Sequence, residues 1–119
     1  MSTAQPLALV VDDDSGLRTL SRIVLELEGF SVREAASLGE AEAALAERRP
    51  DVVLLDVHLG IEQTDELFDR LREEQIPVAA VTGTAEIGDV RDRADATIAK
   101  PYNPEDLVAV AKRLARVAE

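Results

Sequence analysis

The chain has 119 residues, enough for one domain with an ordinary apolar core and too few for two. Apolar residues make up 46% and aromatics only 3% (Phe30, Phe68 and Tyr102), so the core must be built from Val, Leu, Ile and Ala. The absence of cysteine and the single histidine, His58, exclude disulfides, thiolate chemistry and His–His metal pairs, and a formal charge of −11 disfavours nucleic acid and anionic membranes as partners.

Residues 1–6 are short and polar, without the basic and apolar regions of a signal peptide, and no apolar run approaches the roughly 20 residues that span a bilayer. The expectation is a cytoplasmic protein, read as one domain over residues 1–119 with no effector domain. Leu7–Val11 is a continuous apolar run of a length that suits a strand buried on both faces. Leu17, Leu20, Val24 and Leu27 then recur at helical spacing with Ile23 beside them, and Gly29 supplies a C-terminal stop. Phe30–Arg33 alternates in the manner of an edge strand. Ser37-Leu38-Gly39-Glu40 has the form of a capping box ahead of an alanine-rich helix, which Pro50 closes.

Val52–Leu55 is a second buried strand, and Leu67, Phe68 and Leu71 mark a helix that ends before Pro77. Val78–Val81 is a third continuous apolar run. Gly88 and the charged stretch Asp89–Arg93 predict only a short or irregular fourth helix before a second edge strand, Ala96–Ala99. Asn103 and Pro104 form an N-cap and N1 pair that opens a last helix, with Leu107, Val110, Leu114 and Val117 on one face. Glu105 and Asp106 at its start, and Lys112, Arg113 and Arg116 near its end, complement the helix dipole. Alternating units of this kind predict an α/β domain with a single, doubly wound parallel sheet of five strands and helices on both faces. Ligands of such sheets bind beyond the carboxyl ends of the strands.

Those ends carry the chemistry-bearing residues. The first strand runs into Asp12-Asp13-Asp14, the third into Asp56, the fourth into Thr82-Gly83 and the fifth into Lys100-Pro101. Singly, each reads as a turn residue, a cap or a solvated charge, and Asp14 is read as a helix cap. Together they place carboxylates, a hydroxyl and an ammonium on one edge. Crowded carboxylates repel one another and hold protons more tightly, and a hard divalent cation relieves that repulsion. Mg²⁺ takes about six oxygens and keeps several waters, so Asp13 and Asp56 can ligate directly, Asp12 through a water, and the His58 backbone carbonyl as a further ligand. Asp56 is then the nucleophile towards a phosphoryl group. Lys100 balances the charge on the phosphoryl oxygens, and the Thr82 hydroxyl and Gly83 N–H donate to them.

Val10-Val11-Asp12-Asp13-Asp14, the apolar strand ending in Asp56, Val81-Thr82-Gly83 and Lys100-Pro101-Tyr102, in that order, resemble the receiver domain of bacterial two-component response regulators. The resemblance spans the whole chain and implies a flavodoxin-like strand order, 2-1-3-4-5. It implies Asp56 as phospho-acceptor, Asp12 and Asp13 as the acidic pair for Mg²⁺, Thr82 as the switch hydroxyl, and Lys100 as the lysine of the site. The implied phosphodonor is a phosphohistidine on a sensor histidine kinase or histidine phosphotransfer protein. The chain would then be a phospho-acceptor with intrinsic autophosphatase activity rather than a conventional enzyme, a monomer or weak dimer, with no nucleic-acid or membrane partner.

Three departures from the family pattern stand out. Leu59-Gly60 replaces the usual Met-Pro-type pair, and Thr64 stands at the later glycine of that loop. Thr97 replaces the switch aromatic, and the stretch from Thr82 to Lys100 is short. With Asp56-Val57-His58-Leu59-Gly60 and Val81-Thr82-Gly83-Thr84, this is similar to a subgroup of stand-alone receivers used in phosphorelays, although the subgroup's aromatic is missing at Thr84. The alternative function is a receiver-like binding module that works without phosphorylation. A flavin carrier is disfavoured because aspartates stand where a phosphate cradle would be. An Asp-x-Asp phosphatase is disfavoured because position 58 is His.

Overall fold

The computed structural model describes residues 5–57, 61–83 and 93–116, and for 61–64 the backbone alone. The elements in chain order are β1 (Leu7–Val11), α1 (Ser15–Leu27), β2 (Ser31–Ala35), α2 (Leu38–Glu47), β3 (Val52–Asp56), α3 (Ile61–Glu73), β4 (Val78–Thr82), β5 (Ala96–Ala99) and α4 (Pro104–Ala115). The five strands are all parallel, in the order β2-β1-β3-β4-β5. The predicted class and strand order therefore stand. The short or irregular fourth helix predicted before β5 falls largely on residues 84–92, outside the described residues, as do His58, Leu59, Gly60, Thr84 and Val117.

The three continuous apolar runs became the central strands, buried along their whole length. The two alternating runs became the edges. Because side chains alternate across a strand, the sheet divides its core into two layers. Leu9, Val11, Val53, Leu55 and Ala80 face α2 and α3, meeting Ala41, Leu45, Phe68 and Leu71. Ala8, Val10, Leu54, Ala79 and Val81 face α1 and α4, meeting Leu25, Leu107 and Ala111.

Local signals at the helix ends behave as their chemistry requires. Asp14 caps α1, its side chain accepting from Leu17 N. Gly29, at φ 96°, closes the same helix: its N–H donates to Glu26 O, and the next N–H, of Phe30, reaches back to Leu25 O. Ser37 accepts from Glu40 N at 3.2 Å, while the Glu40 carboxylate reaches one residue beyond the usual capping box, to Ala36 N at 2.9 Å. Asn103 caps α4 with Pro104 in its first turn.

One helix differs from its reading. Of Leu17, Leu20, Val24 and Leu27, Val24 packs against the core and Leu17 is half-buried, while the fully buried residues of α1 are Ser21 and Leu25. Leu20, Ile23 and Leu27 are exposed at 45%, 45% and 79%. The helix carries more apolar residues than its buried face accommodates, so spacing alone does not single out that face.

Candidate functional site

Every strand that contributes to the site does so at its carboxyl end. β1 stops at Val11, and the chain turns as Asp12 N donates to Ala35 O of β2 at 3.0 Å. Asp12 Oδ1 accepts from Asp14 N at 2.9 Å, and Asp14 in turn starts α1. Asp56 is the last residue of β3 and lies opposite Val81 in the register. Thr82 ends β4 opposite Ala99, and Lys100 N donates to Thr82 O at 2.8 Å, which carries the lysine past the end of β5. The Lys100–Pro101 peptide is cis.

This placement brings together Asp12, Asp13, Asp56 and Lys100 of the residues the sequence nominated, while His58 lies outside the described residues. Among the described residues, Asp12, Asp13 and Asp56 each offer a carboxylate oxygen within 4.8 Å of the others. Lys100 Nζ stands 3.3 Å from Asp56 Oδ2. Asp56 is 3% exposed and Thr82 1%, whereas Asp13 is open to solvent. The pocket thus has a dry floor and a wet mouth. Thr82 Oγ1 donates to Gly83 O at 3.0 Å. Thr97, at the position of the family's switch aromatic, is half-buried on β5 opposite Ala80.

Asp12 holds its proton more tightly than an ordinary carboxyl, with a pKa raised to about 6. Burial is the largest cause; the nearby Asp56 adds to it by repulsion and a shared hydrogen bond, while Asp14 N–H and Lys100 oppose it. The sequence reading gave the direction from crowding, but burial outweighs crowding here. A partly buried, oxygen-only, anionic set is the donor chemistry a hard divalent cation takes, so these residues fit Mg²⁺.

Two further pairs were missed. Arg18 Nη1 donates to the Asp12 carbonyl at 2.7 Å and Arg18 Nε to Glu34 Oε1 at 3.0 Å. Its position one turn into α1, just after the acidic run, was the available signal. At the opposite end of the sheet, Asp51 and Asp95 bind the first residues of β1 and β4.

A parallel doubly wound domain with three carboxylates and a lysine at its carboxyl edge carries its candidate site where ligands of such sheets bind. A sequence model described as "Response regulator receiver domain" matches residues 8–112, and the chain belongs to that family. The phosphate regulon transcriptional regulatory protein PhoB of Pseudomonas aeruginosa is 34% identical over 116 residues, 91% of this chain and 51% of that protein. The DNA-binding response regulator MtrA of Mycobacterium tuberculosis is 37% identical over 122 residues, 98% of this chain and 54% of that protein. The chain therefore spans about half the length of the curated relatives it matches. Among solved structures, a CheY-like receiver domain protein from Methanospirillum hungatei superposes with a TM-score of 0.83 at 29% identity, covering 95% of both chains. The receiver domain of NtrX from Brucella abortus does so with 0.80 at 30% identity, covering 93% of this chain and 99% of that one.

Proposed function

We propose that this receiver domain accepts a phosphoryl group on Asp56 from a phosphohistidine donor and signals through protein contacts or passes the group along a relay. The observation that carries the reading is the Lys100 ammonium 3.3 Å from a buried Asp56 carboxylate that shares its pocket with Asp12 and Asp13. An Asp56 carboxylate oxygen would bond to phosphorus as the P–N bond breaks, its electron pair returning to the donor imidazole. Bound Mg²⁺ would supply charge neutralisation for the carboxylates and the phosphoryl oxygens together. Asp12 and Asp13 would hold it with Asp56, and the His58 carbonyl is carried as a fourth ligand. Lys100 would face the phosphoryl oxygens. The Thr82 hydroxyl would turn from the Gly83 carbonyl to donate to one of them, and the Gly83 N–H would donate to another. Water attack at phosphorus would break the bond to Asp56, release inorganic phosphate and restore the free carboxylate, the autophosphatase half of the cycle.

The proposed setting is the cytoplasm, with a sensor kinase or phosphotransfer protein as donor. No helix among the described residues is long and apolar enough to cross a membrane. Operation as a stand-alone receiver, as a monomer or weak dimer, belongs to the same proposal. It is tested by the size of the cellular protein: a 119-residue species supports it, and one of about twice that length replaces it.

The chemistry is tested by incubation with MgCl₂ and acetyl phosphate, followed by intact-mass spectrometry. A phosphoryl adduct that disappears in Asp56→Asn supports the reading, and no Asp56-dependent adduct rejects it. Thr97 at the switch position is the observation behind the second reading, a binding module that needs no phosphate. That reading prevails if cells carrying Asp56→Asn signal as wild type does.

A further inference from the structure

Arg18 lies outside the set of residues assigned to the chemistry, yet it touches the site at a particular peptide. The Asp12 carbonyl belongs to the peptide group joining Asp12 to Asp13, so a bond to that carbonyl restrains the peptide plane from which both residues depart. Arg18 Nη1 donates to it at 2.7 Å. The backbone N–H of Arg18 also donates to Asp14 O at 2.9 Å, so one residue holds the acidic loop at two points. The guanidinium is itself held: Nε meets Glu34 Oε1 at 3.0 Å, and the other Glu34 oxygen is 2.7 Å from Arg22 Nε. Arg22 also pairs with Glu26 at 3.3 Å. The Arg18 side chain is only 17% exposed, so water competes weakly for these bonds.

The charges of this network cancel: Arg18 and Arg22 against Glu34 and Glu26. A bare guanidinium beside three carboxylates would repel an incoming cation. Neutralised by Glu34, Arg18 can act through hydrogen-bond geometry rather than through its charge. From this we infer that Arg18, oriented by Glu34, is a positioning residue for the cation site, bracing the Asp12–Asp13 peptide so that both carboxylates face Mg²⁺. The inference rests on the metal-dependent reading proposed above and adds to it a residue pair on α1 and β2.

Bracing and charge make opposite predictions. Were Arg18 acting through charge alone, Arg18→Met would leave the pocket more negative and tighten Mg²⁺ binding, while Arg18→Lys would change nothing. Bracing requires both variants to weaken it, because Met donates nothing and Lys cannot fork between the Asp12 carbonyl and Glu34. Partners that orient metal ligands commonly change affinity by about 10- to 100-fold.

The experiment is calorimetric titration of wild type, Arg18→Met, Arg18→Lys and Glu34→Gln with MgCl₂ at pH 7.5, with amide hydrogen exchange of the metal-free proteins alongside. The expected result is a dissociation constant raised about tenfold in Arg18→Met and less in the other two, with faster exchange confined to the amides of residues 13 and 14. Unchanged or tighter Mg²⁺ binding in folded Arg18→Met overturns the inference. Should that variant not fold, unchanged binding in both Arg18→Lys and Glu34→Gln overturns it equally. A wild type that does not bind Mg²⁺ overturns the metal-dependent reading itself, whereas a wild type that binds and variants that match it sink this inference alone.

Discussion

The two ends of the sheet use the same side chain for opposite purposes. At the amino end, Asp51 N donates to Leu7 O at 2.7 Å, and the Asp51 carboxylate accepts from Leu7 N at 2.7 Å. Asp95 repeats the arrangement on β4, with Asp95 N to Val78 O at 2.9 Å and Val78 N to Asp95 Oδ2 at 2.9 Å. Each of these aspartates closes a ring with the first residue of a strand and extends the ladder by one step. At the carboxyl end, Asp12, Asp13 and Asp56 crowd into one pocket, and Asp12 is pushed towards its neutral form. An aspartate matched to its own backbone donor is a fastening. Aspartates crowded against one another raise each other's proton affinity. What separates the two ends is the company each aspartate keeps, not the residue type.

If that contrast is right, substitutions at the two ends should fail in different currencies. The largest effect is expected for Lys100→Met, which leaves the phosphoryl oxygens without their ammonium. The rate of acetyl-phosphate labelling should fall on the order of 100-fold. Labelling at the wild-type rate would remove Lys100 from the site.

Asp12→Asn should act in the opposite direction on the fold. Because the Asp12 pKa is raised to about 6, the folded chain binds this proton more tightly than the unfolded chain. Metal-free wild type should therefore lose stability as pH rises between about 4 and 6, and the loss should be complete above that window. Asn can still accept from Asp14 N without the charge. Urea unfolding without metal should show Asp12→Asn more stable than wild type at pH 7.5, by on the order of 2 kcal/mol, with the gap closing towards pH 4. A variant less stable than wild type at pH 7.5 would break the contrast between the two ends.

The smallest effect belongs to the amino end. Asp51→Asn or Asp95→Asn weakens one charge-assisted hydrogen bond and should cost about 1 kcal/mol in urea unfolding. Mg²⁺ affinity should stay within about twofold of wild type, since Coulomb coupling across the length of a strand is largely screened. A large change in Mg²⁺ affinity would mean that the two ends are not independent.

Much of this was legible in the sequence, for physical reasons. The central strands are unbroken Val, Leu and Ala runs, because both of their faces are covered. The site could be read because four of the five strands run out of apolar residues at a chemistry-bearing one, so Asp12, Asp56, Thr82 and Lys100 follow from the strand limits. The buried side of α1 was not legible, because Leu20, Ile23 and Leu27 are as apolar as Leu25 and differ from it only in which way the helix faces. The Arg18–Glu34 pair and the Asp51 and Asp95 rings depend on contacts between separate elements, and in one dimension they look like ordinary surface charges. The cause of the Asp12 shift was hidden too: crowding is visible in the run of aspartates, but burial is a property of the fold.

Thermal unfolding with and without Mg²⁺ addresses the carboxyl-end pocket most directly, comparing wild type with Asp13→Asn and Asp51→Asn at pH 7.5. With Mg²⁺ at ten times its dissociation constant, the wild-type midpoint should rise by about 5 °C, the equivalent of about 1.4 kcal/mol. Asp51→Asn should keep that rise and Asp13→Asn should lose most of it. Equal midpoints with and without Mg²⁺ in the wild type, or the same rise in all three proteins, would contradict the claim that these crowded carboxylates form a cation site.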